Sequence, residues 1–254
     1  MSTPATRSSA RSPLRRFVVP PLLLATALVS MGVVAGEPGK VKGKVTGLEK
    51  LVPDVYTESA DAKNHRFNWR EGSPTVPAQH RALYGNPAKE VCIGVFGGSN
   101  ANPFDPPVKV KVTGGRTNPA MLVVSPGTRV VFFNVDPFPH KLFQVNEPKW
   151  APNVTGPGSQ RDWTAGSPGR YEIRDELFPS VRTFVVVEPQ VAAMGYPSRS
   201  GDFSIDKLAP GEYTLRAYFN GKPVGKEQPS FRIPDKGGEV PLKADWNISP
   251  AESK

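Results

Sequence analysis

The feature that most constrains the fold is a series of short runs of β-branched and aromatic residues. Gly, Pro, Asn and Asp bound each run, and no long segment after residue 35 has the 3.6-residue periodicity of an amphipathic helix. Short strands about ten residues apart, with turn residues between them, are typical of sandwiches and Greek-key barrels. We therefore predict an all-β protein with a Greek-key β-sandwich. The predicted strands are 40–46, 91–96, 108–112, 121–124, 129–134, 141–145, 170–173, 182–187, 202–205, 212–219 and 230–233.

The longest segment without this strand pattern is 53–88. It is polar and irregular, and it contains His65, Trp69, His80 and Tyr84. Loops of this length are usually functional or poorly ordered. We predict an irregular insertion into the sandwich here, with a short helix around Pro77 to Tyr84.

Two further segments also lack strand signals. Residues 146–168 are rich in Pro and Gly and carry Trp150 and Trp163, so we predict a second long loop. Its two indoles are interpreted either as exposed binding platforms or as anchors that pack the loop onto the sandwich. Residues 235–254 are polar and are predicted to form a loosely attached tail.

The first 35 residues have the features of an export signal. Four arginines precede an apolar run that ends in the small-residue sequence Val33-Val34-Ala35, and no acidic residue is present. This pattern predicts a secretory signal peptide over 1–35, or alternatively an uncleaved membrane anchor. Arg15-Arg16-Phe17 is an imperfect match to the twin-arginine signal. We expect the rest of the chain to be periplasmic or extracellular, with membrane contact only through an uncleaved N-terminal segment.

Charge and cysteine content exclude other classes of protein. The formal net charge is +9, and it falls to +5 without residues 1–35, which hold four arginines and no acids. The excess is spread along the chain with no basic block, so we expect no nucleic-acid partner. Cys92 is the single cysteine, which excludes an intrachain disulfide. It lies in a continuous apolar run and is predicted to be a buried, unreactive thiol.

The segment 118–145 contains the residues that bear most directly on whether this protein binds a metal. Its sequence Val130-Val-Phe-Phe-Asn134-Val-Asp136 is followed four residues later by His140. This arrangement resembles the cupredoxins, in particular the plastocyanin-like and methylamine-utilisation-like periplasmic proteins. The resemblance covers about 108–187 and implies a cupredoxin-like Greek-key sandwich with long loop insertions. It also implies that His140 stands at the position of the first copper ligand.

The other ligands that the resemblance implies are missing. The family supplies a Cys, a second His and a Met from one later loop, which here corresponds to 174–182. Aligning Pro179 and Arg182 places Asp175 at the Cys, Phe178 at the His and Val181 at the Met. Thiolate, imidazole and thioether ligands select copper, and two of these three replacements have no donor atom. We therefore expect a degenerate copper site and no cofactor, with copper as the alternative.

Other metal sites remain open at the level of sequence. One candidate site combines His140 with Asp175, His65 or His80 and has no thiolate, although nothing in the spacing requires it. Met194 is a second candidate, as a displaced thioether ligand, but it lies beyond the last strand of the cupredoxin match.

A second resemblance begins at Gly201. The sequence 201–217 is similar to the Gly-x-Phe-x-Ile…Pro-Gly-x-Tyr-x-Leu pattern of carboxypeptidase-regulatory-like, transthyretin-type β modules, and 39–45 resembles their opening strand. We predict a hairpin over 200–233 that turns at Pro210-Gly211 and belongs to one sandwich spanning 36–234. The side chains predicted to point inward are Phe203, Ile205, Tyr213 and Leu215.

The sequence is compatible with three alternative functions. We favour an exported, non-catalytic cupredoxin-like envelope protein that lacks a blue-copper site and binds an unknown envelope protein, glycan or other ligand. The alternative is a periplasmic copper-binding or electron-transfer protein that uses His140 in an atypical site. An enzyme ranks last, because no nucleophile elbow, zinc-binding pair or phosphate loop is present. Asp175 and Glu176 do not make a catalytic pair, since adjacent strand residues point to opposite faces.

Overall fold

A computed structural model describes residues 36–51, 87–98, 102–226 and 228–250 of the chain, all within the unit Ala35–Lys254. Its helices are α1 (Leu48–Leu51), α2 (Pro87–Glu90) and one 3-10 turn (Pro148–Trp150). None of the helices in these ranges is long and apolar enough to cross a membrane. The strands are β1 Gly39–Thr46, β2 Val91–Gly97, β3 Val108–Thr113, β4 Arg116–Asn118, β5 Met121–Val124, β6 Arg129–Asn134, β7 His140–Gln144, β8 Asn153–Thr155, β9 Gln160–Thr164, β10 Gly169–Asp175, β11 Arg182–Val187, β12 Val191–Gly195, β13 Asp202–Leu208, β14 Gly211–Phe219, β15 Lys222–Val224, β16 Ser230–Ile233, β17 Gly238–Pro241 and β18 Trp246–Asn247.

The strands form four sheets. Sheet 1 has the order β13-β1-β17, with β18 also paired to β1, and sheet 2 has the order β12-β2-β14-β15, with β16 also paired to β14. Sheet 3 has the order β5-β11-β10-β7-β8, and sheet 4 has the order β4-β3-β6-β9. The predicted fold class, an all-β sandwich, is therefore confirmed.

Three apolar cores separate the four sheets. The first core lies between sheets 1 and 2, and the second lies between sheets 3 and 4. A third, smaller core joins sheet 2 to sheet 3. Alternate side chains of β2 enter different cores. Val91, Ile93 and Val95 enter the first core, whereas Cys92 and Phe96 enter the third. Strands of sheets 2 and 3 are thus buried on both faces, which explains their continuous apolar runs.

The second sandwich is inserted into the first. Strands β2 and β12 pair antiparallel in sheet 2, and the segment between them contributes β3 to β11, which make up sheets 3 and 4. The prediction of one sandwich over 36–234 is therefore wrong. Periodicity marks which residues are buried but does not distinguish one core from three.

The predicted hairpin over 200–233 is also wrong. β13 pairs with β1 in sheet 1, whereas β14 pairs with β2 in sheet 2, so the two strands face each other across the first core. Pro210 has no N–H, and Gly211 has φ 153°, which lets the chain cross between the sheets. The Tyr213 hydroxyl donates to the carbonyl of Ala209 at 2.8 Å and fixes this corner. The four side chains predicted to point inward are all buried in the first core.

The predicted loop over 146–168 contains structure. Besides the 3-10 turn it forms β8 and β9, the edge strands of sheets 3 and 4. In β9 the polar residues Gln160, Asp162 and Thr164 face outward and only Trp163 is buried, so the strand has little apolar signal. The prediction of a long loop without strands is therefore wrong.

The predicted loose tail is wrong for residues 235–250. β17 and β18 both pair in parallel with β1, and the Ile248 N–H donates to the carbonyl of Thr46 at 3.0 Å. Trp246 and Ile248 are 1% and 0% exposed. Two buried apolar residues in a polar segment are enough to anchor it, and average composition does not reveal them. The predicted signal segment 1–35 and residues 53–86 of the predicted insertion lie outside the described residues.

Replacing Trp246 with Ala tests the role of the C-terminal segment. Loss of a fully buried indole is expected to lower the free energy of unfolding by about 3–5 kcal/mol. Urea unfolding followed by circular dichroism measures the change. The control is Lys243→Ala, an exposed neighbour expected to change stability by less than about 0.5 kcal/mol. Equal stability of the two variants would contradict the packing of this segment.

Candidate functional site

The candidate site lies at one end of the second sandwich, where the loop between β6 and β7 brings His140 into the interior. Asn134 holds this loop. Its Nδ2 donates to the carbonyls of Phe138 and Thr155, both at 2.9 Å, and its Oδ1 accepts from the Asp136 N–H at 2.9 Å. The loop conformation is thus fixed by one buried amide, and His140 is 0% exposed.

Both ring nitrogens of His140 face carboxylates. Nδ1 is 2.6 Å from Asp175 Oδ2, and Nε2 is 3.1 Å from Asp136 Oδ2. A carboxylate oxygen without a proton can only accept, so each contact is a hydrogen bond only when it contains one proton. When each of the two contacts contains one proton, the imidazole and the two carboxyl groups hold two protons in total. The net charge of the three side chains is then −1. We call these three residues the Asp–His–Asp cluster.

Backbone donors hold the Asp136 carboxylate. The N–H groups of Gly114 and Gly115 donate to it at 2.6 and 3.0 Å. These two glycines form the turn between β3 and β4 with φ of 60° and 64°, a conformation that favours glycine at both positions. Burial alone raises the pKa of Asp136. The hydrogen bonds from Gly115, Gly114 and His140 outweigh this effect and hold the pKa below its ordinary value.

Asp175 is held in a similar way at the end of β10. Its Oδ1 accepts from the N–H groups of Leu177 and Phe178 at 2.6 and 3.1 Å, and its side chain is 0% exposed. The cluster therefore links the β3–β4 turn, the β6–β7 loop and the β10–β11 loop through hydrogen bonds.

Two aromatic rings shield the cluster. The rings of Phe138 and Phe178 lie 5.3 and 5.0 Å from the imidazole of His140, and 4.7 Å from each other, between centroids. They keep water away, which strengthens the electrostatic interactions inside.

The structure brings Asp175 and Phe178 into contact with His140, and it places Val181 in the second core, fully buried. The side chains at these positions do not fit the copper site that the cupredoxin resemblance implies. Phe178 and Val181 carry no ligand atom, and both nitrogens of His140 are in contact with carboxylates. Among the described residues, no group of three or more His, Cys, Asp or Glu side chains has the arrangement of a metal site.

The remaining candidate ligands lie elsewhere. Met194 is in β12, with its sulfur 3.8 Å from the Tyr196 hydroxyl. Glu176 points away from the cluster and forms an ion pair with Lys141 at 3.1 Å, so it makes no pair with Asp175. His65 and His80 lie outside the described ranges.

Cys92 is buried, as predicted. It is 0% exposed in the third core, whereas Phe178, which contacts His140, packs against the second core. Burial raises the pKa of its thiol to about 12, although hydrogen bonds with Tyr196 and the Val123 backbone act in the opposite direction. The thiolate needed for metal binding or nucleophilic chemistry is therefore disfavoured.

Both tryptophans of the region 146–168 are anchors. Trp163 is 4% exposed and donates to Gln144 Oε1 at 2.6 Å, and Trp150 packs on the second core and donates to the carbonyl of Asp162 at 3.0 Å. The interpretation as exposed binding platforms is therefore wrong.

Sequence reasoning missed Arg161 and the role of Asp136. The Arg161 guanidinium lies 3.8 Å from the Trp150 ring and donates to the carbonyls of Leu142 and Ala151, which closes the edge between sheets 3 and 4. The position of Asp136 four residues before His140 was the available signal for the cluster.

Comparison with known proteins gives matches among solved structures alone. No family model and no curated protein matches the chain. A methionine-to-alanine mutant of amicyanin with Cu(I) is 21% identical, covers 38% of this chain and 98% of its own, and has a TM-score of 0.30. The Cu-containing nitrite reductase of Thermus scotoductus SA-01 is 25% identical over 37% of this chain and 25% of its own, with a TM-score of 0.29. A purple cupredoxin from Nitrosopumilus maritimus is 17% identical over 32% of this chain and 99% of its own, with a TM-score of 0.28. These likenesses concern the fold of part of the chain.

Replacing Asp136 with Asn tests the electrostatics of the cluster. Loss of the carboxylate is expected to lower the free energy of unfolding at neutral pH by about 2–4 kcal/mol, because it leaves a buried network with one partner missing. The pKa of folded Asp136 lies below its ordinary value of 3.8. The advantage of the wild type is therefore present above pH 3.8 and is lost as the pH falls through the lower folded value.

Urea unfolding of both proteins between about pH 3 and pH 7 measures this dependence. Asp206→Asn, which removes an exposed carboxylate from sheet 1, is the control for the loss of one negative charge. A stability difference between the Asp136→Asn variant and the wild type that stays constant over this range would contradict the assignment.

Burial of Cys92 predicts slow thiol chemistry. The folded protein is expected not to react with an aromatic disulfide reagent at neutral pH during the time in which the urea-unfolded protein reacts completely. The released chromophore measures the reaction. Rapid stoichiometric labelling of the folded protein would show that the thiol is accessible.

Proposed function

We propose that this protein is an exported, non-catalytic scaffold of cupredoxin-like fold that has no blue-copper site and binds a partner in the cell envelope. The observation that carries the proposal is the contact of both His140 nitrogens with the buried carboxylates of Asp136 and Asp175. In this proposal an ion-paired hydrogen-bond network occupies the place of a metal centre.

The energetic cost of metal binding supports the proposal. A metal ion at Nδ1 of His140 would have to displace a carboxylate at 2.6 Å that is itself fully buried. Separating one partner of a buried ion pair costs about 3–5 kcal/mol, which corresponds to a loss of roughly two to four orders of magnitude in affinity. Neither Phe178 nor Val181 supplies a donor that would offset this cost.

The same geometry favours a scaffold over a catalyst. A general acid or base needs a substrate proton within hydrogen-bond distance. Here Phe138 and Phe178 cover the imidazole, and both of its nitrogens already have partners. The proposed role of the cluster is to hold three loops at the end of the sandwich in one conformation.

Export and a partner in the envelope complete the proposal. The arginine-rich start of the sequence, its apolar run and its small-residue exit support secretion to the periplasm or the cell exterior. Exposed apolar residues next to two members of the cluster support binding of a partner, and Val135, which precedes Asp136, is 48% exposed. Leu177, which follows Asp175 in the β10–β11 loop, is 45% exposed.

Copper titration tests the proposal. The purified protein is expected to bind no stoichiometric Cu(II) or Cu(I) and to show no visible thiolate-to-copper absorption, measured by spectrophotometry together with metal analysis of the dialysed sample. Cys92→Ser is the matched control for the single thiol, and His140→Gln is the control for the imidazole.

A variant with restored ligands tests the placement of the lost site. Replacing Asp175 with Cys, Phe178 with His and Val181 with Met is expected to produce copper-dependent visible absorption that the wild type lacks. Blue absorption by the wild type that disappears in the Cys92→Ser variant would refute the proposal. Tight colourless binding that disappears in the His140→Gln variant would refute it as well and would indicate a metal site without a thiolate.

A further inference from the structure

The two outermost sheets of the molecule have very different outer faces. Within the described ranges, sheet 1 and sheet 4 each bury one face in a core, and no other sheet covers the opposite face. On sheet 4 the side chains of Val130 and Phe132 enter the second core. The alternate residues of the same strand, Val131 and Phe133, therefore point outward.

A row of apolar side chains runs along the middle of the outer face of sheet 4. Val131 and Phe133 in β6 are followed by Val135; Val131 is only 6% exposed, whereas Phe133 and Val135 are 38% and 48% exposed. The described residues include four exposed large apolar side chains, and two of them are neighbours in this row. Water-exposed apolar residues that cluster in this way mark interaction surfaces, whereas isolated ones are ordinary.

Lysines line one side of this apolar row. The parallel register of β3 and β6 places Lys109 opposite Val131 and Lys111 opposite Phe133. Both lysines are exposed, and neither forms an ion pair with another described residue. On the other side, β9 places Asp162 opposite Val131, and this carboxylate is already paired with Arg129 at 3.3 Å. The face is thus apolar along its centre and has a positive edge.

The outer face of sheet 1 shows what a solvated face of this protein looks like. Lys40 and Lys42 both form ion pairs with Glu239, at 3.1 and 2.9 Å, and Lys44 lies opposite Asp202. The described part of this face includes no exposed large apolar residue. Sheet 4 differs in both respects, since it has exposed apolar side chains and two lysines that form no ion pair with the part of the chain that the structure describes.

We propose that the outer face of sheet 4 binds an acidic polypeptide segment of a partner protein that carries apolar or aromatic side chains. Carboxylates of the partner pair with Lys109 and Lys111, and its apolar side chains cover Phe133 and Val135. This inference rests on the proposed function, because it names the class of partner and the surface that the scaffold uses.

Binding of synthetic polymers to the intact protein tests the inference. The probes are a random copolymer of Glu and Tyr, poly-L-glutamate, a copolymer of Lys and Tyr, and polygalacturonate as an acidic glycan. The Glu–Tyr copolymer is expected to bind more tightly than poly-L-glutamate, because it offers apolar contacts in addition to charge, and the Lys–Tyr copolymer is expected not to bind. Fluorescence anisotropy of labelled polymers measures the affinities.

Matched variants locate the binding surface. Lys109→Gln together with Lys111→Gln is expected to weaken binding of the Glu–Tyr copolymer about tenfold and to reduce its salt dependence. Phe133→Thr is expected to weaken it about tenfold without changing the salt dependence, and threonine keeps the preference for a strand. Lys42→Gln together with Lys44→Gln makes the same change in net charge on sheet 1 and is expected to leave the affinity within about twofold.

Several outcomes overturn the inference. Equal losses in the two lysine pairs would mean non-specific attraction by net charge. Preference for polygalacturonate over the Glu–Tyr copolymer would mean that the partner is a glycan, and absence of binding to every probe would mean that the face docks no acidic partner. Thermal unfolding of each variant confirms that it is folded. None of these variants alters the Asp–His–Asp cluster, so copper titration can fail or succeed independently of this test.

Discussion

The architecture depends on burial of both faces of the two inner sheets. A sheet with one apolar face builds a two-layer sandwich, but sheets 2 and 3 also share the third core, so four layers stack. Strand β11 shows the requirement clearly: Val185 and Val187 enter the second core, and Phe184 and Val186 enter the third. A charged residue at any of these positions would be buried without a partner, which costs far more than the loss of one apolar contact.

The Asp–His–Asp cluster also leaves no buried charge without a partner, but it does so through hydrogen bonds rather than apolar side chains. An imidazole that is 0% exposed is tolerated because both of its nitrogens contact carboxylates, and these carboxylates accept hydrogen bonds from four backbone N–H groups. A buried ionic network of this kind adds little net stability compared with an apolar core. It does restrict the loops that supply its three residues, because displacing any one of these residues leaves a buried charge without a partner. Specificity of loop conformation is therefore the property that the cluster contributes.

Much of the fold could be predicted from the sequence because alternation records burial directly. The bounds of β5, β6, β11 and β16 were predicted to the residue. Pairing could not be predicted in this way, since the alternation of Phe203 and Ile205 is the same whether β13 pairs with β14 or faces it. At the site, family resemblance singled out His140 and Asp175. Their direct contact, and the part played by Asp136, depend on three loops meeting in space, which local sequence does not record.

The insertion of one sandwich into the other has a consequence for the order of folding. Every strand of sheets 3 and 4 lies between Val108 and Val187, so these sheets can form as soon as that segment is available. Sheet 1 needs β1 and β17, whose paired residues Gly39 and Gly238 are about 200 positions apart in the chain. Contacts at such separation form late because loop closure costs entropy first. A growing chain thus keeps β1 without β17 and β18 until about 200 further residues have been added, so its first sandwich stays open while the second can already form.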